Sequence, residues 1–339
     1  MASKNFPSVI AWAALTACLG AACGKSAPPV PAKPPAPALT PPPAAVPEPA
    51  PPSPTAAVGP WQQVSGGLPE LAVTKGAALT VARVAKIEGE DPYAPLWKEA
   101  PFVEVMMLPQ QMAMPILPDG TIPTVQVQAV HDGTTLAVRL VWRDATPDGN
   151  VETGRFADAV AVELPLKDDA PPTMGSKESP VQILHWKALW QKDLDVGYQD
   201  VQDLHPNYWS DLYWFAEPGH PHKFPEAFKK PEALQWFVAL AAGNPVAVMQ
   251  RATPAEELIA GGWGTLTHQP QSATRARGLW AAGKWAVMFT RPLHTDDASD
   301  AQLTPGKATK LAFAVWDGGK GQIGGRKHWA AWQDAAVAP

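Results

Sequence analysis

Short runs of apolar or alternating residues, separated by Gly, Pro and Asp, recur along the chain from residue 78 onwards. In 125–129 and 136–140 every second residue is Val, Leu or Ala, a pattern typical of half-buried antiparallel strands. We predict strands over residues 78–87, 102–108, 124–130, 135–142, 159–164, 181–184, 285–290 and 310–316. Residues 131–133 and 282–284 are predicted hairpin turns, in which Gly supplies a positive φ.

Helical patterns are few. Residues 254–259, preceded by Thr253 as a possible N-cap, form one candidate, and residues 231–240 form another. Many short strands with few helices predict an all-β fold, an antiparallel β-sandwich with a few short helices and long loops. Residues 204–230 are rich in Pro, His and aromatic side chains and fit neither pattern; we expect a functional cover there, because long irregular segments often serve that purpose.

Residues 1–23 are predicted to be a lipoprotein signal peptide, because Lys4 precedes an apolar run and small residues precede cysteine. Leu15-Thr16-Ala17-Cys18 resembles a lipobox, and the sequence before Cys23 is a looser match. Lipidation at Cys18 is slightly favoured, although it would leave Cys23 as a free thiol. A plain cleaved signal peptide is the alternative, and the apolar run is short of the ~20 residues that a spanning helix needs. We therefore expect a periplasmic, membrane-anchored lipoprotein.

Residues 24–60 consist mostly of Pro and Ala and cannot build a core. Such a tract is expected to be disordered and extended, at roughly 3 Å per residue, so it could tether a domain up to about 100 Å from a membrane. A solubilising tail is the other interpretation. No second linker follows, and residues 61–339 are taken as one domain.

Cysteine usage and charge exclude several functions. Both cysteines lie within the first 23 residues, so the domain has no disulfide, zinc–thiolate site, iron–sulfur cluster or catalytic thiol. The sequence also lacks the Cys-x-x-Cys-His motif of covalently attached haem. A net charge of −5 without a basic block argues against a nucleic-acid partner.

Lys187 lies inside the dense apolar and aromatic run 180–191. Lysine is rarely buried unless its charge is compensated, and one compensation is loss of the proton and coordination of a metal. Lys187 is therefore a candidate axial ligand of a haem iron, although a lysine in an edge strand more often only extends its amine to solvent. His185 lies two residues earlier, on the same face of a strand, and could replace Lys187 as ligand or form a hydrogen bond near it.

Several motifs occur in a specific order between residues 91 and 332. They include Asp91-Pro92, Trp97-Lys98-Glu99-Ala100, Val141-Trp142-Arg143-Asp144, Arg155-Phe156-Ala157-Asp158, Met174-Gly175, His185-Trp186-Lys187-Ala188 and Val315-Trp316-Asp317-Gly318. In these motifs the chain resembles the haem b-binding γ subunits of type II enzymes of the dimethyl sulfoxide reductase family, such as ethylbenzene dehydrogenase and chlorate reductase.

The resemblance implies an immunoglobulin-like sandwich that holds one haem b between a methionine and a lysine ligand. Lys187 matches the lysine. The methionine should come from residues 110–115; Met114 is favoured because it lies beside a proline, and Met112 is the alternative. With both axial positions occupied, such a haem would relay electrons without acting on a substrate.

The resemblance also implies partners: iron–sulfur and molybdenum-containing subunits of a reductase or dehydrogenase, and a periplasmic electron carrier. Tryptophans are expected to wall the haem, and basic residues to bind its propionates. The candidates are Trp186, Trp190, Trp209, Trp214 and Trp236 for the walls, and Arg139, Arg143, Arg155 and Lys192 for the propionates.

Two other functions remain open. A carbohydrate- or small-ligand-binding β-sandwich would use exposed tryptophans as its platform, but has no need of a lysine and a methionine that converge. An accessory lipoprotein with a decayed haem site is the other possibility. The tether of residues 24–60 also departs from typical γ subunits, which are soluble in the periplasm.

Overall fold

The computed structural model describes residues 74–199, 201–205, 236–248 and 251–339. The predicted signal peptide with Cys18 and Cys23, the predicted tether, Trp209 and Trp214 all lie outside the described residues. These predictions therefore stay predictions.

The described residues are mostly β-structure with a few short helices. The strands are β1 Leu79–Arg83, β2 Val103–Met106, β3 Leu108–Pro109, β4 Thr124–His131, β5 Thr135–Arg143, β6 Ala159–Pro165, β7 Val181–Lys187, β8 Ala255–Ala260, β9 Thr267–His268, β10 Arg275–Ala281, β11 Lys284–Pro292, β12 Ala308–Trp316 and β13 His328–Val337. The helices are α1 Ala188–Val196, α2 Val201–Leu204 and α3 Val238–Ala241, with 3-10 turns at Pro95–Glu99, Pro245–Ala247 and Gly318–Lys320.

One continuous sheet has the strand order β10-β11-β5-β4-β1-β13-β12-β6-β7-β8-β9, while β2 pairs with β4 and β3 with β13. The prediction of a wholly antiparallel sheet is wrong, because β1 runs parallel to both of its neighbours, β4 and β13. The other pairs are antiparallel. The sheet is therefore mixed, with its parallel pairs in the middle of the strand order.

The sheet curls, so that strands from opposite parts of the order share one core. Trp186 of β7 packs against Trp285 of β11, with ring centroids 4.9 Å apart. Trp285 also stacks with Trp142 of β5 at 6.4 Å. All three indoles are buried, and their contacts join the β5–β11 side of the sheet to the β6–β7 side.

Both predicted hairpin turns are confirmed. Gly133 joins β4 to β5 with φ 96°, and Ala282 and Gly283 join β10 to β11 with φ 49° and 72°. Two positive φ values in a two-residue loop match the twist of the flanking strands.

The helix predicted over residues 254–259 is wrong. This segment is β8, which pairs with β7 from Trp186 opposite Ala255 to Val181 opposite Ala260. Pairing with a buried neighbour therefore overrides the helix-forming tendency of Ala, Glu and Leu. Of the second predicted helix, residues 231–235 lie outside the described part, and α3 covers only its end.

Within the described ranges, no helix is both long enough and apolar enough to cross a membrane.

Candidate functional site

Strands β12, β6, β7 and β8 lie side by side and carry apolar residues on both faces. Val160, Val162 and Leu184 point into the main core. On the opposite face Ala161 and Ile183 belong to a second apolar cluster, which is the floor of a cavity of about 620 Å³. This volume lies within the range of about 300–1,000 Å³ that is typical of ligand and cofactor sites.

Two rows of paired residues cross the floor of the cavity. One row contains Ala314, Ala161, His185 and Glu256, and the next contains Trp316, Ala159 and Lys187. Alanine occupies the centre of both rows, on β6. Its small side chain leaves space above this strand that a larger side chain would fill. The walls come from loops 110–115, 172–174, 263–266 and 322–327, together with residues of α1 and β13.

Gln110 holds the methionine-bearing loop in place. Its buried side chain accepts hydrogen bonds from the backbone N–H groups of Met112, at 2.5 Å, and Ala113, at 2.7 Å. The same amide donates to the carbonyl oxygens of Ala113, at 2.7 Å, and Gly325, at 2.9 Å. Gln110 therefore ties the loop that carries Met112 and Met114 to the facing wall of the cavity.

Lys187 is the last residue of β7 and the N-cap of α1. The backbone N–H of Ala188 donates to the carbonyl oxygen of Asp158 at 2.8 Å, which fixes this junction against the start of β6. The Lys187 Nζ lies 4.5 Å from the ring centroid of Trp190, one turn further along the chain. The lysine side chain therefore ends inside an aromatic part of the cavity.

Burial lowers the pKa of Lys187 below its ordinary value. The carboxylate of Glu256 opposes this change, whereas the nearby guanidinium of Arg251 adds to it. The Arg251 guanidinium also stacks over Trp190, 4.2 Å from the ring centroid. A lysine in such surroundings gives up its proton more easily than an exposed one, and only the neutral amine can bind a metal.

His185 and Lys187 both face the cavity, as strand alternation predicts. His185 Nδ1 lies 3.2 Å from Glu256 Oε1, and His268 Nδ1 lies 3.0 Å from Glu256 Oε2. Burial lowers the pKa of His185 to about 4, although the hydrogen bond with Glu256 opposes this. Burial would raise the pKa of Glu256, but the hydrogen bond with His185 and the charges of its basic neighbours outweigh burial and lower it. The pair is therefore a neutral imidazole beside a carboxylate at neutral pH.

Five residues predicted for the cofactor site line this one cavity, namely Met112, Met114, His185, Lys187 and Trp190. The two methionine side chains are accessible at its edge, with Met112 44% and Met114 84% exposed. Trp186 does not line it. Its side chain points to the other face of β7, into the main core, where Nε1 donates to Gln191 Oε1 at 3.3 Å.

The remaining candidates among the described residues do not line the cavity. Trp236 is exposed and is absent from the lining. None of the four basic residues proposed for the propionates lines it; Arg139, for example, is buried elsewhere and donates to Gln128 Oε1 at 2.6 Å.

A family model described as ethylbenzene dehydrogenase matches residues 94–328, more than two thirds of the chain's 339 residues. The chain belongs to the ethylbenzene dehydrogenase family. The matched range contains the cavity and its lining up to Lys327.

Two relatives of this family member carry functional names. A Haloferax mediterranei protein with the provisional name respiratory nitrate reductase heme subunit is 26% identical over 259 residues, which cover 76% of this chain and 71% of that protein. The chlorate reductase subunit gamma of Ideonella dechloratans is 26% identical over 251 residues, covering 71% of this chain and 77% of that protein.

Solved structures give only distant similarity. A family 9 carbohydrate-binding module of Caldicellulosiruptor kristjanssonii in complex with glucose has a TM-score of 0.30 and 8% identity, covering 77% of this chain and 83% of that one. The same module with cellotriose has a TM-score of 0.33 and 7% identity, over 76% and 83% of the chains. Similarity at this level carries no argument about function.

In this member of the family, the cavity also holds a second lysine and a third methionine. Lys327 Nζ donates to Met174 Sδ at 3.8 Å. Burial lowers the pKa of Lys327, and the charge of Glu163 opposes this change. Burial also raises the pKa of Glu163, to about 8. Met174 has φ 72°, an uncommon value for a long side chain and one that often marks functional positions.

Sequence analysis missed this pair as a candidate for ligation. Met174 lies in one of the motifs that carry the resemblance, but its pattern gives no reason to place it beside a lysine 153 residues away. Lys327 lies between a Gly-Gly-Arg turn and β13, where a basic residue normally predicts an exposed loop.

Proposed function

We propose that this chain is a haem b-binding electron-transfer subunit, and not itself a catalytic subunit. The observation that carries the proposal is the convergence of Lys187, Met112 and Met114 on one apolar cavity. The names of the two relatives, a heme subunit and a gamma subunit of reductases, support it.

The residues present fit a haem. Most of the floor is apolar, and the volume of about 620 Å³ is that of a cofactor site. Lys187, with its lowered pKa, would provide a neutral amine donor, and Met114 or Met112 a thioether donor. A bound haem would supply one-electron chemistry at its iron.

The protein's own contribution is to position these donors and to exclude water. The β7–α1 junction fixes Lys187, and Gln110 fixes the methionine loop. The indole rings of Trp190 and Trp316 lie 4.5 Å and 5.4 Å from the amines of Lys187 and Lys327. A thioether ligand favours the reduced metal and raises the potential of the couple. Lys187 and one of the two methionines would together hold the haem, and the chemistry that such a donor pair would supply is electron transfer and not turnover of a bound substrate.

His185 is the competing donor, because it is neutral and lies on the same face as Lys187. Its Nδ1 is engaged by Glu256, which leaves Nε2 as the only nitrogen available to a metal. The Lys327–Met174 pair is a further alternative. Both amines lie over an indole ring, at 4.5 Å from Trp190 for Lys187 and at 5.4 Å from Trp316 for Lys327. We assign the lysine ligand to Lys187 because the amine of Lys327 already donates to Met174 Sδ.

The proposal extends to the setting of the protein. The signal-like residues 1–23 and the Pro/Ala tract of residues 24–60 support a periplasmic lipoprotein anchored through Cys18 or Cys23. Its partners would be iron–sulfur and molybdenum-containing subunits of a dimethyl sulfoxide reductase family enzyme, and a periplasmic electron carrier. An immunoglobulin-like sandwich topology is part of the same proposal, supported by the single core that strands from both halves of the curled sheet share.

The test is the absorption spectrum of the full chain produced in a periplasm, before and after reduction. We expect extractable, non-covalent haem and the sharp bands of a low-spin ferrous haem. Lys187→Ala, Met114→Ala and Met112→Ala identify the ligands, and Lys327→Ala and His185→Ala test the competing donors. Matched controls are Lys284→Ala and Met106→Ala, at exposed positions of β11 and β2.

Loss of the low-spin bands in Lys187→Ala and in one methionine variant, with both controls unchanged, would support the proposal. A colourless, folded wild-type protein would refute it and favour the alternative, a carbohydrate- or small-ligand-binding module. Trp263, which is 55% exposed and lines the cavity, would then be the first residue to examine as a sugar platform.

A further inference from the structure

Four aspartates converge beside the cavity, at the ends of three strands. Asp144 follows β5, Asp158 precedes β6, Asp317 follows β12, and Asp148 lies between the first two. One carboxylate oxygen from each lies within 4.8 Å of the others. Asp144, Asp158 and Asp317 are buried and Asp148 is half-buried, so the cluster is not part of an ordinary solvated surface.

The cluster has no ion-pair partner among the described residues: burial raises the pKa of Asp317, and the charge of Lys320 opposes this only from beyond ion-pair distance. No lysine or arginine of the described residues forms an ion pair with any of the four aspartates. Burial, with the neighbouring charge of Asp144, raises the pKa of Asp158 to about 9. Burial and the charge of Asp317 raise the pKa of Asp144 to about 7. Buried carboxylates at such short separations require protons or a bound cation.

An unpartnered oxygen distinguishes a cation site from a closed hydrogen-bond network. Asp144 is 5% exposed, and its Oδ2 has no hydrogen bond. Asp144 Oδ1 accepts from the Thr146 N–H at 3.2 Å. The Trp142 indole acts on the pKa of Asp144 as a hydrogen-bond donor, but this contact lies outside ordinary hydrogen-bond geometry, so neither Trp142 Nε1 nor Asp144 Oδ2 has a full partner. A buried carboxylate oxygen without a donor is costly, and a metal ion would satisfy it.

We infer that Asp144, Asp148, Asp158 and Asp317 bind a divalent cation, and that Ca²⁺ is the ion they suit. Carboxylate oxygens select hard cations, and Ca²⁺ takes six to eight oxygen ligands at about 2.3–2.6 Å in flexible geometry. Opposite ligands of such an ion are therefore about 5 Å apart, which agrees with the spread of these four oxygens.

Asp158 is already oriented for this role. Its Oδ1 accepts from the Gly318 N–H at 2.8 Å, and its Oδ2 accepts from the Asp148 N–H at 2.7 Å and from Trp285 Nε1 at 3.0 Å. These bonds connect the three chain segments that bear the aspartates. The carbonyl oxygen of Asp158 also accepts from Ala188, directly after Lys187. The cation would clamp the strand ends that hold this side of the cavity, whatever the cavity binds.

The test uses the full chain, freed of metal by a chelator, and Tb³⁺ as a luminescent substitute for Ca²⁺. The Trp285 indole donates to Asp158, and the Trp280 indole donates to the Asp144 carbonyl oxygen at 3.0 Å. Excitation of tryptophan should therefore sensitise Tb³⁺ emission with one ion bound per chain. Ca²⁺ should displace Tb³⁺, Mg²⁺ should do so more weakly, and saturating Ca²⁺ should raise the unfolding temperature by about 5 °C or more.

Asp144→Asn and Asp317→Asn should each weaken Tb³⁺ and Ca²⁺ binding at least tenfold. Because an amide removes the repulsion between carboxylates, both variants should remain folded without metal, which a thermal unfolding curve in chelator checks. Asp168→Asn, at an exposed position, is the control and should bind as the wild type does. Absence of sensitised emission and of any Ca²⁺-dependent stabilisation in the wild type would overturn the inference, as would wild-type binding by both folded variants.

Discussion

Acid should destabilise the haem-free protein through His185, and His185→Gln should remove most of this sensitivity. The imidazole is 13% exposed. Burial lowers its pKa to about 4 from an ordinary value of 6.5, against the opposing hydrogen bond with Glu256. The folded protein therefore holds His185 neutral over a range of pH in which the unfolded chain protonates it.

The sign follows from proton binding in the two states. Between about pH 6.5 and 4 the unfolded chain binds one proton more than the folded protein at this residue, so stability falls as the pH falls through that range. Well above pH 6.5 this residue costs no stability, and the stability lost by pH 4 amounts to about 3 kcal/mol. This is an upper limit, because the exposed part of the ring keeps some contact with solvent.

Urea unfolding of the wild type and of His185→Gln, at about pH 7.5 and about pH 4, measures the effect. The difference in free energy of unfolding between the two proteins should change by about 3 kcal/mol between these conditions. Comparing the two proteins subtracts the protonation of the carboxyl groups that do not contact His185; Glu256, whose pKa the His185 hydrogen bond lowers, stays coupled to the substitution. His294→Gln, at an exposed position, controls for the substitution itself. If the wild type and His185→Gln lose stability in parallel, the imidazole is not held neutral by burial.

Three further substitutions test the architecture of the site. Ala161→Leu should fill the cavity floor and prevent haem uptake, measured by titration with haem, while the unfolding temperature stays near that of the wild type. Gln110→Ala should free the methionine loop and reduce the low-spin bands of the reduced protein with an unchanged circular dichroism spectrum; an unchanged absorption spectrum would contradict the role assigned to Gln110. Gly278→Val should destabilise the protein by roughly 1–3 kcal/mol or more in urea, because a Cβ at Gly278 would lie 2.2 Å from Trp186 Cζ2. Gly120→Val, at a glycine that likewise has no positive φ and where a Cβ would meet its nearest atom only at 3.5 Å, controls for the substitution itself.

Strand positions could be predicted from the sequence where alternation is regular. The hairpin of β4 and β5 is the clearest case, because residues 125–129 and 136–140 alternate and a Gly-containing turn separates them. β8 could not be predicted in this way. Glu256 and Glu257 in succession resemble a helix start, whereas the structure pairs them with His185 and Thr274 across the sheet. The partners of the buried Glu256 and Glu257 are distant in the sequence, so no local pattern could have predicted a buried strand here.

The alternation of side chains along β7 allows part of the candidate site to be predicted from the sequence. It predicts that His185 and Lys187 share a face, and both line the cavity. The same period of two places Trp186 on the opposite face, where the structure has it in the main core. The expectation that Trp186 walls the cofactor therefore conflicted with the pattern that places Lys187. Lys327 and Met174 lie in loops, where no periodicity applies.

The two-sided strands explain why a cavity forms at this position. In Ala159-Val160-Ala161-Val162 every residue is apolar, a pattern typical of strands that are covered on both faces. The valine face packs in the main core, whereas the alanine face opens on a space of about 620 Å³. The alanine side chains bury little apolar surface against one another. An apolar ligand that fills the cavity would bury this face of β6. Because Lys187 ends the neighbouring strand, its amine lies beside this alanine face, where the proposed haem would find its amine donor.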